Sequence, residues 1–410
     1  MNLTKFDAVK VTYLQKIIYK LFFFFLITIG CTLVLFSLKF IDNDIFWDLG
    51  IYAKAINIFN SGGDPYSPDQ LGGFLSFVYH PLILHGMALF GSWLLPVLIT
   101  FYFASMVYFL FSLRNNSNLW LSLFLAFAYC GIGFISLASG NLTVFLHLIL
   151  LAILVKGSSQ DLNQNKNQNL SSFTSTNTAF IILVIAFSII KPYFLVYLVI
   201  PLIMQWGKNE GIAKTIRLIL TWVSIFFALM ISSSLFYSTE FSAFITSLQN
   251  QTLGKRDLGY GFVMFFYDYY LSAGSLIYRA FVLHFAIAFL LLLISVYLAI
   301  KNKWLSTDNS NSAYFPFLLY FLLTLFNPRL KVYDLFPAFF ALYVYFFSLK
   351  LSTVSRLLFL LAYALSLSQL IGSIFFASQG IFANPINVYY WSMSIIFLII
   401  IVTLAKPAPN

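Results

Sequence analysis

Five of the chain's 13 carboxylates, Asp42, Asp44, Asp48, Asp64 and Asp69, fall in one polar stretch that runs from Ile41 to Pro81. Each offers a different chemistry. Asp48 precedes Tyr52 by four residues and Ala55 by seven, so it would sit in the first turn of a short helix with Tyr52 on its face. A carboxylate is favoured there by the helix dipole, and it could also serve as a general base. The pair Asp42-x-Asp44 could hold a divalent cation through oxygen ligands, although so short a pattern is common by chance. Asp64 and Asp69 stand among Gly and Pro residues, where local backbone bonding is the ordinary role of Asp. Two clusters of positive charge, Lys255-Arg256 and Arg329/Lys331, and the lone Lys191 beside Pro192 could hold an anion. Their plain alternatives are a solvated loop for the first pair and a helix-connecting turn for the second.

These groups must be carried by an unusually apolar chain. Of 410 residues, 61% are hydrophobic and 9% charged, and the mean hydropathy is +0.90. A soluble domain carries roughly 25% charged residues, so too few polar side chains exist here to coat a water-soluble core. Apolar runs of about 20 residues recur along the chain, the length that crosses a hydrocarbon core. The 49 Phe and 25 Tyr suit a lipid-facing surface with interfacial aromatics. The expected fold is an all-α polytopic integral membrane protein with about 12 transmembrane or half-spanning helices in a single membrane domain over 1–410.

The net charge of +10 is scattered in ones and twos at the ends of apolar runs, which argues for headgroup contacts and against nucleic acid. Cys31 and Cys130 lie inside apolar runs, so neither a disulfide nor a thiolate metal site is expected. Four lysines precede the first apolar run, but no small-residue cleavage site follows it. That run therefore reads as a retained helix rather than a signal peptide.

Helices are expected near 19–40, 93–113, 119–138, 142–155, 179–190, 193–206, 216–236, 276–300, 313–326, 335–349, 355–376 and 388–405, with a short re-entrant or interfacial piece at 82–91. With both termini cytoplasmic, this plan puts Arg114, Lys156, Lys208, Lys214, Arg217, Lys301, Lys303, Lys350, Arg356 and Lys406 inside and most acids outside, the expected bias. Lys191-Pro192 breaks 179–206 into two short pieces, about 18 Å and about 21 Å long at 1.5 Å per residue. A broken helix at membrane depth is tolerated where it lines a cavity. The Asn/Gln/Ser-rich segment 157–178 reads as a flexible cytoplasmic linker. Three polar segments face outside: 41–81, 237–275 and the short Asn327–Asp334.

The first of these, WDLGIYAKAINIFNSGGDPY followed by FVYHPL, resembles the first extracytoplasmic loop of the GT-C superfamily of polyprenol-phosphate-sugar-dependent glycosyltransferases. The likeness is to the branch with bacterial membrane α-mannosyltransferases. Asp48-Leu49, Tyr52, Ala55, Gly62 or Gly63, Tyr66, Tyr79 and Pro81 fill that branch's pattern, whereas His80 stands where Pro is common. Gly140-Asn141 stands where a Gly-Gln would be expected.

The resemblance implies an inner-membrane hexosyl- or pentosyltransferase acting on the extracytoplasmic face. It would move a mannose-like hexose or a pentose from a polyprenyl-phosphate donor to a lipid- or glycan-linked acceptor with inversion, Asp48 being the base. Such a reaction needs one carboxylate for the acceptor hydroxyl proton and positive groups where negative charge builds on the departing phosphate. Lys191, Lys255, Arg256, Arg329 and Lys331 are the candidates for that clamp. Tyr52, Asp64, Tyr66, Tyr79, His80 and Tyr333 complete the expected substrate site. His80 has a plainer reading as a satisfied interfacial histidine, and Asp334 as a helix cap. No cofactor is expected unless Asp42 and Asp44 hold a metal. Two other classes fit the same outside charges: a flippase for a lipid-linked saccharide, and a polysaccharide polymerase or ligase.

Overall fold

A computed structural model describes residues 46–72, 77–114, 116–129, 132–164, 171–206, 209–251, 259–263, 278–306, 310–349, 351–375 and 385–408. The expected helix at 19–40 and the Asp42/Asp44 pair lie outside these residues. The described chain is helical, with one isolated bridge between Gly259 and Leu330.

Its helices run α1 Trp47–Asn60, α2 Pro68–Leu71, α3 Pro81–Ala88, α4 Leu94–Leu113, α5 Ser117–Ala128, α6 Ile132–Ser139, α7 Leu142–Gln164 and α8 Ser171–Ile190. After a 3-10 turn at Pro192–Leu198 come α9 Val199–Met204, α10 Asn209–Phe236, α11 Ser238–Gln249, α12 Tyr278–Lys301, α13 Phe315–Thr324, α14 Val332–Ser348, α15 Thr353–Phe375 and α16 Pro385–Leu404. Local chemistry sets several starts. Pro occupies the first turn of α2, α3 and α13 and opens the 3-10 turn at Pro192, where a missing N–H costs nothing. The Asn116 side chain accepts from the N–H groups of Asn118 and Leu119 at the head of α5.

The expected span 119–138 divides into α5 and α6, and the linker expected over 157–178 is helical at both ends, within α7 and α8. Once the chain has begun a helix, each further residue adds a hydrogen bond. The polar tails of α7 and α8 therefore extend the apolar runs that nucleate them.

α13 is buried at every position, and α14 is buried from Asp334 to Phe346. Around this pair pack α5, α6 and α7, with α4 and α8 against α7. The outer helices behave differently. Leu220, Phe227, Ile231 and Leu235 of α10, Val282, Phe289 and Leu290 of α12, and Leu357, Leu360 and Leu361 of α15 all stand exposed. Gly91–Leu113, Gly211–Phe236 and Tyr278–Lys301 are long and apolar enough to cross a membrane. In water such surfaces would oppose folding; in lipid they cost nothing.

A candidate active site beneath α1

The site begins with the way α1 is anchored. Phe46 precedes the helix with φ 58°, a left-handed conformation that a bulky residue adopts only under constraint. The constraint is visible: the Phe46 N–H donates to the carbonyl of Ala138 in α6 at 2.6 Å. Two residues on, Gly140 turns the chain at φ +64°, and a Cβ there would lie 2.9 Å from both Phe46 Cδ1 and Leu49 Cγ. Glycine thus lets the head of α1 rest on the α6–α7 turn. This contact brings Asp48 to Asn141, whose Nδ2 donates to Asp48 Oδ2 at 2.7 Å across 93 residues of sequence.

One turn further, the hydroxyls of Tyr52 and Tyr79 meet at 2.6 Å. Tyr79 is held from behind by the Tyr66 hydroxyl, which donates to its carbonyl at 3.0 Å. The Nζ of Lys191 lies 5.8 Å from the ring centre of Tyr79 and 4.9 Å from that of Tyr333, within cation–π range. Lys191 occupies the break between α8 and the 3-10 turn. Its neighbours Arg329 and Lys331 come from the turn before α14. There the Arg329 N–H donates to Asn327 Oδ1 at 3.1 Å, and the Leu330 carbonyl accepts from the Tyr260 N–H at 2.6 Å. A Cβ on Gly259, which has φ +70°, would fall 2.1 Å from that carbonyl, so the close approach of the two loops depends on glycine.

Together these side chains line a cavity of about 230 Å³, joined by Trp47, Ile51, Val78, Asn141, Gln251 and Val332. Among the described residues it contains one carboxylate, Asp48, and three cations, Lys191, Arg329 and Lys331. Burial pushes the Asp48 carboxyl above its usual 3.8, opposed by the Asn141 hydrogen bond and then by the charges of Lys191, Arg329 and Lys331. Burial also brings Lys331 down to about 8, against the opposing pull of Asp334 and Asp48. The Tyr79 phenol is raised, chiefly by burial, and stays neutral at physiological pH.

Of the residues expected from sequence, Asp48, Tyr52, Tyr79, Lys191, Arg329, Lys331 and Tyr333 converge on this cavity. Three expected contacts are not among its lining residues. Asp64 accepts from the Tyr66 N–H at 2.9 Å and shapes the turn after Gly63, while Tyr66 acts behind Tyr79. His80 caps α3 by accepting from the Leu82 N–H at 3.2 Å, and its Nε2 meets Ser233 Oγ at 3.2 Å. Short polar side chains next to a chain reversal satisfy their own backbone first, which draws Asp64 and His80 away from the cavity. Lys255 and Arg256 lie outside the described residues.

One cluster escaped the sequence reading. Asp334 does cap α14, accepting from the Lys331 N–H at 3.0 Å, but its carboxylate also accepts from Tyr193 at 2.6 Å and from Asn327 Nδ2 at 3.1 Å. His147 of α7 lies 3.4 Å from it, with Nε2 also 2.9 Å from the Tyr193 hydroxyl and Nδ1 against Tyr320. The available signal was a lone His in the apolar run 142–155, since an ionisable residue there needs partners.

No family model matches the chain, and neither a curated protein nor a solved structure matches it.

Proposed function

We propose that the chain is a membrane glycosyltransferase of the GT-C type, with about 12 transmembrane or half-spanning helices and an extracytoplasmic active site. It transfers a mannose-like hexose or a pentose from a polyprenyl-phosphate donor to a lipid- or glycan-linked acceptor. The observation that carries this reading is the cavity in which, among the described residues, one half-buried carboxylate faces three cations. Asp48 takes the proton of the acceptor hydroxyl as that oxygen bonds to the anomeric carbon. The bond from the anomeric carbon to the phosphate oxygen breaks on the opposite face, and its electron pair stays with the phosphate. Lys191, Arg329 and Lys331 supply positive charge where that negative charge grows, in a partly desolvated site where the interaction is strengthened. A single base suffices because the phosphate leaves without needing an acid, unlike the alcohol expelled by a hydrolase with two carboxylates.

The donor's lipid tail lies against the exposed apolar faces of the outer helices, and Trp47 and Tyr333 offer aromatic surface to a sugar ring. Purified protein assayed with a panel of polyprenyl-phosphate sugars tests the reading. Asp48→Asn should express and melt as the parent does and transfer no sugar. Full activity in that variant would overturn the assignment.

A further inference from the structure

Asp48 Oδ2 is engaged by Asn141 Nδ2, while Oδ1 has no hydrogen-bond partner among the described residues. Which end of the Asn141 amide faces Asp48 is fixed by its other bonds. Its Oδ1 accepts from the Thr143 N–H at 2.9 Å at the head of α7, so the NH₂ end must face Asp48. The Asn141 backbone is held as well, its N–H donating to Ser139 Oγ at 3.1 Å. Behind it stands the left-handed Gly140, pressed on Leu49 and Phe46. An N-cap needs only the oxygen of such a side chain. The nitrogen is therefore free for a second task, and the fold spends it on a carboxylate 93 residues away.

We propose that Asn141 is a positioning residue for Asp48: its amide ties down Oδ2 and leaves Oδ1 as the atom that takes the acceptor proton. This rests on the glycosyl-transfer reading above. In the step, the acceptor O–H proton passes to Oδ1, the acceptor oxygen bonds to the anomeric carbon, and the anomeric carbon–phosphate oxygen bond breaks with its electrons on phosphate. The amide donor also favours the ionised carboxylate, because an anionic oxygen accepts a stronger hydrogen bond than the carbonyl oxygen of the neutral acid. Lys191, Arg329 and Lys331 act in the same direction, and among the described residues the other titratable groups around Asp48 are the neutral phenols of Tyr52, Tyr79 and Tyr333. On α1 itself, Lys54 donates to the Leu71 carbonyl at 2.9 Å, and at the head of α3, packed against it, His80 is engaged with Ser233 and Leu82.

The test reads the protonation of Asp48 directly, from the carboxyl C=O infrared band of protein in nanodiscs that disappears in Asp48→Asn. Asn141→Ala removes both the cap and the donor. Asn141→Ser keeps a capping oxygen but is too short to reach Asp48. The expected result is an Asp48 midpoint raised by about one to two pH units in both variants. At neutral pH, kcat falls roughly tenfold or more with the donor KM within about twofold. An unmoved midpoint in Asn141→Ser that melts with the parent overturns the proposal. Because the band needs no sugar transfer, full activity in Asp48→Asn would sink the glycosyl-transfer reading separately.

Discussion

The Tyr193 hydroxyl donates to Asp334 Oδ1 at 2.6 Å, linking the residue just after the α8 break to the first turn of α14. The same carboxylate holds the Lys331 N–H and the Asn327 side chain. One buried acid thus ties together the two segments that carry the cavity's cations. Replacing Asp334 with Ala strands several buried donors, and the penalty for breaking such a buried network is about 3–5 kcal/mol. Tyr193→Phe removes a single bond and should cost about 1–2 kcal/mol. Thermal melting in detergent or nanodiscs separates the two; equal, negligible losses would show that the network holds nothing in place.

The three cavity cations should be separable by their effect on transfer. Removing one charge-assisted phosphate contact costs about 1.5–3 kcal/mol, which is roughly a tenfold to hundredfold loss in kcat/KM. Lys191→Ala and Arg329→Ala are each expected to show that loss. Arg329→Lys should recover part of it only if the guanidinium acts as a point charge rather than a fork. Steady-state kinetics with a polyprenyl-phosphate sugar measures this, and unchanged kcat/KM in both alanine variants would remove the clamp from the mechanism.

The pH dependence has a defined sign on each side. Asp48 must be ionised to accept a proton, and burial raises its pKa, so the acid limb of kcat/KM should lie above 3.8. Lys331 must be charged to attract phosphate, and burial lowers it, so the alkaline limb should fall near pH 8 rather than 10.5. The Asp48 contribution to stability has the matching sense. A carboxyl whose folded pKa is raised favours the fold below its unfolded value, and that advantage is lost as pH rises through the folded value. A kcat/KM profile flat from pH 4 to 10 would contradict both assignments.

Gly140→Ala tests the seat of α1. The position combines φ +64° with a Cβ that would lie 2.9 Å from Phe46 and Leu49, so both strain and overpacking oppose it. The expected cost is about 2–3 kcal/mol. Transfer should fall further than stability alone explains, because the displaced helix carries Asp48. Comparing melting temperature with kcat on the folded fraction checks this; a loss in stability with unchanged kcat would mean that α1 tolerates the shift.

The sequence determined what depends on neighbours in the chain. Hydropathy and periodicity located apolar helices such as Leu94–Leu113 and Tyr278–Lys301 to within a few residues, since helical hydrogen bonds close within four residues. Asp48 at a helix start, the Lys191-Pro192 break and the turn at Arg329 were legible for the same reason. Asp64 and His80 were not separable from the cavity residues by type or spacing, because their partners are a local turn and the distant Ser233. Only the tertiary structure joined Asp48 to Asn141 and to three cations drawn from two separate segments. It alone gave Asp334 a role beyond capping, through His147 and Tyr193. These contacts span roughly 90 to 190 residues and are fixed by how buried helices pack, so no local pattern in the chain encodes them.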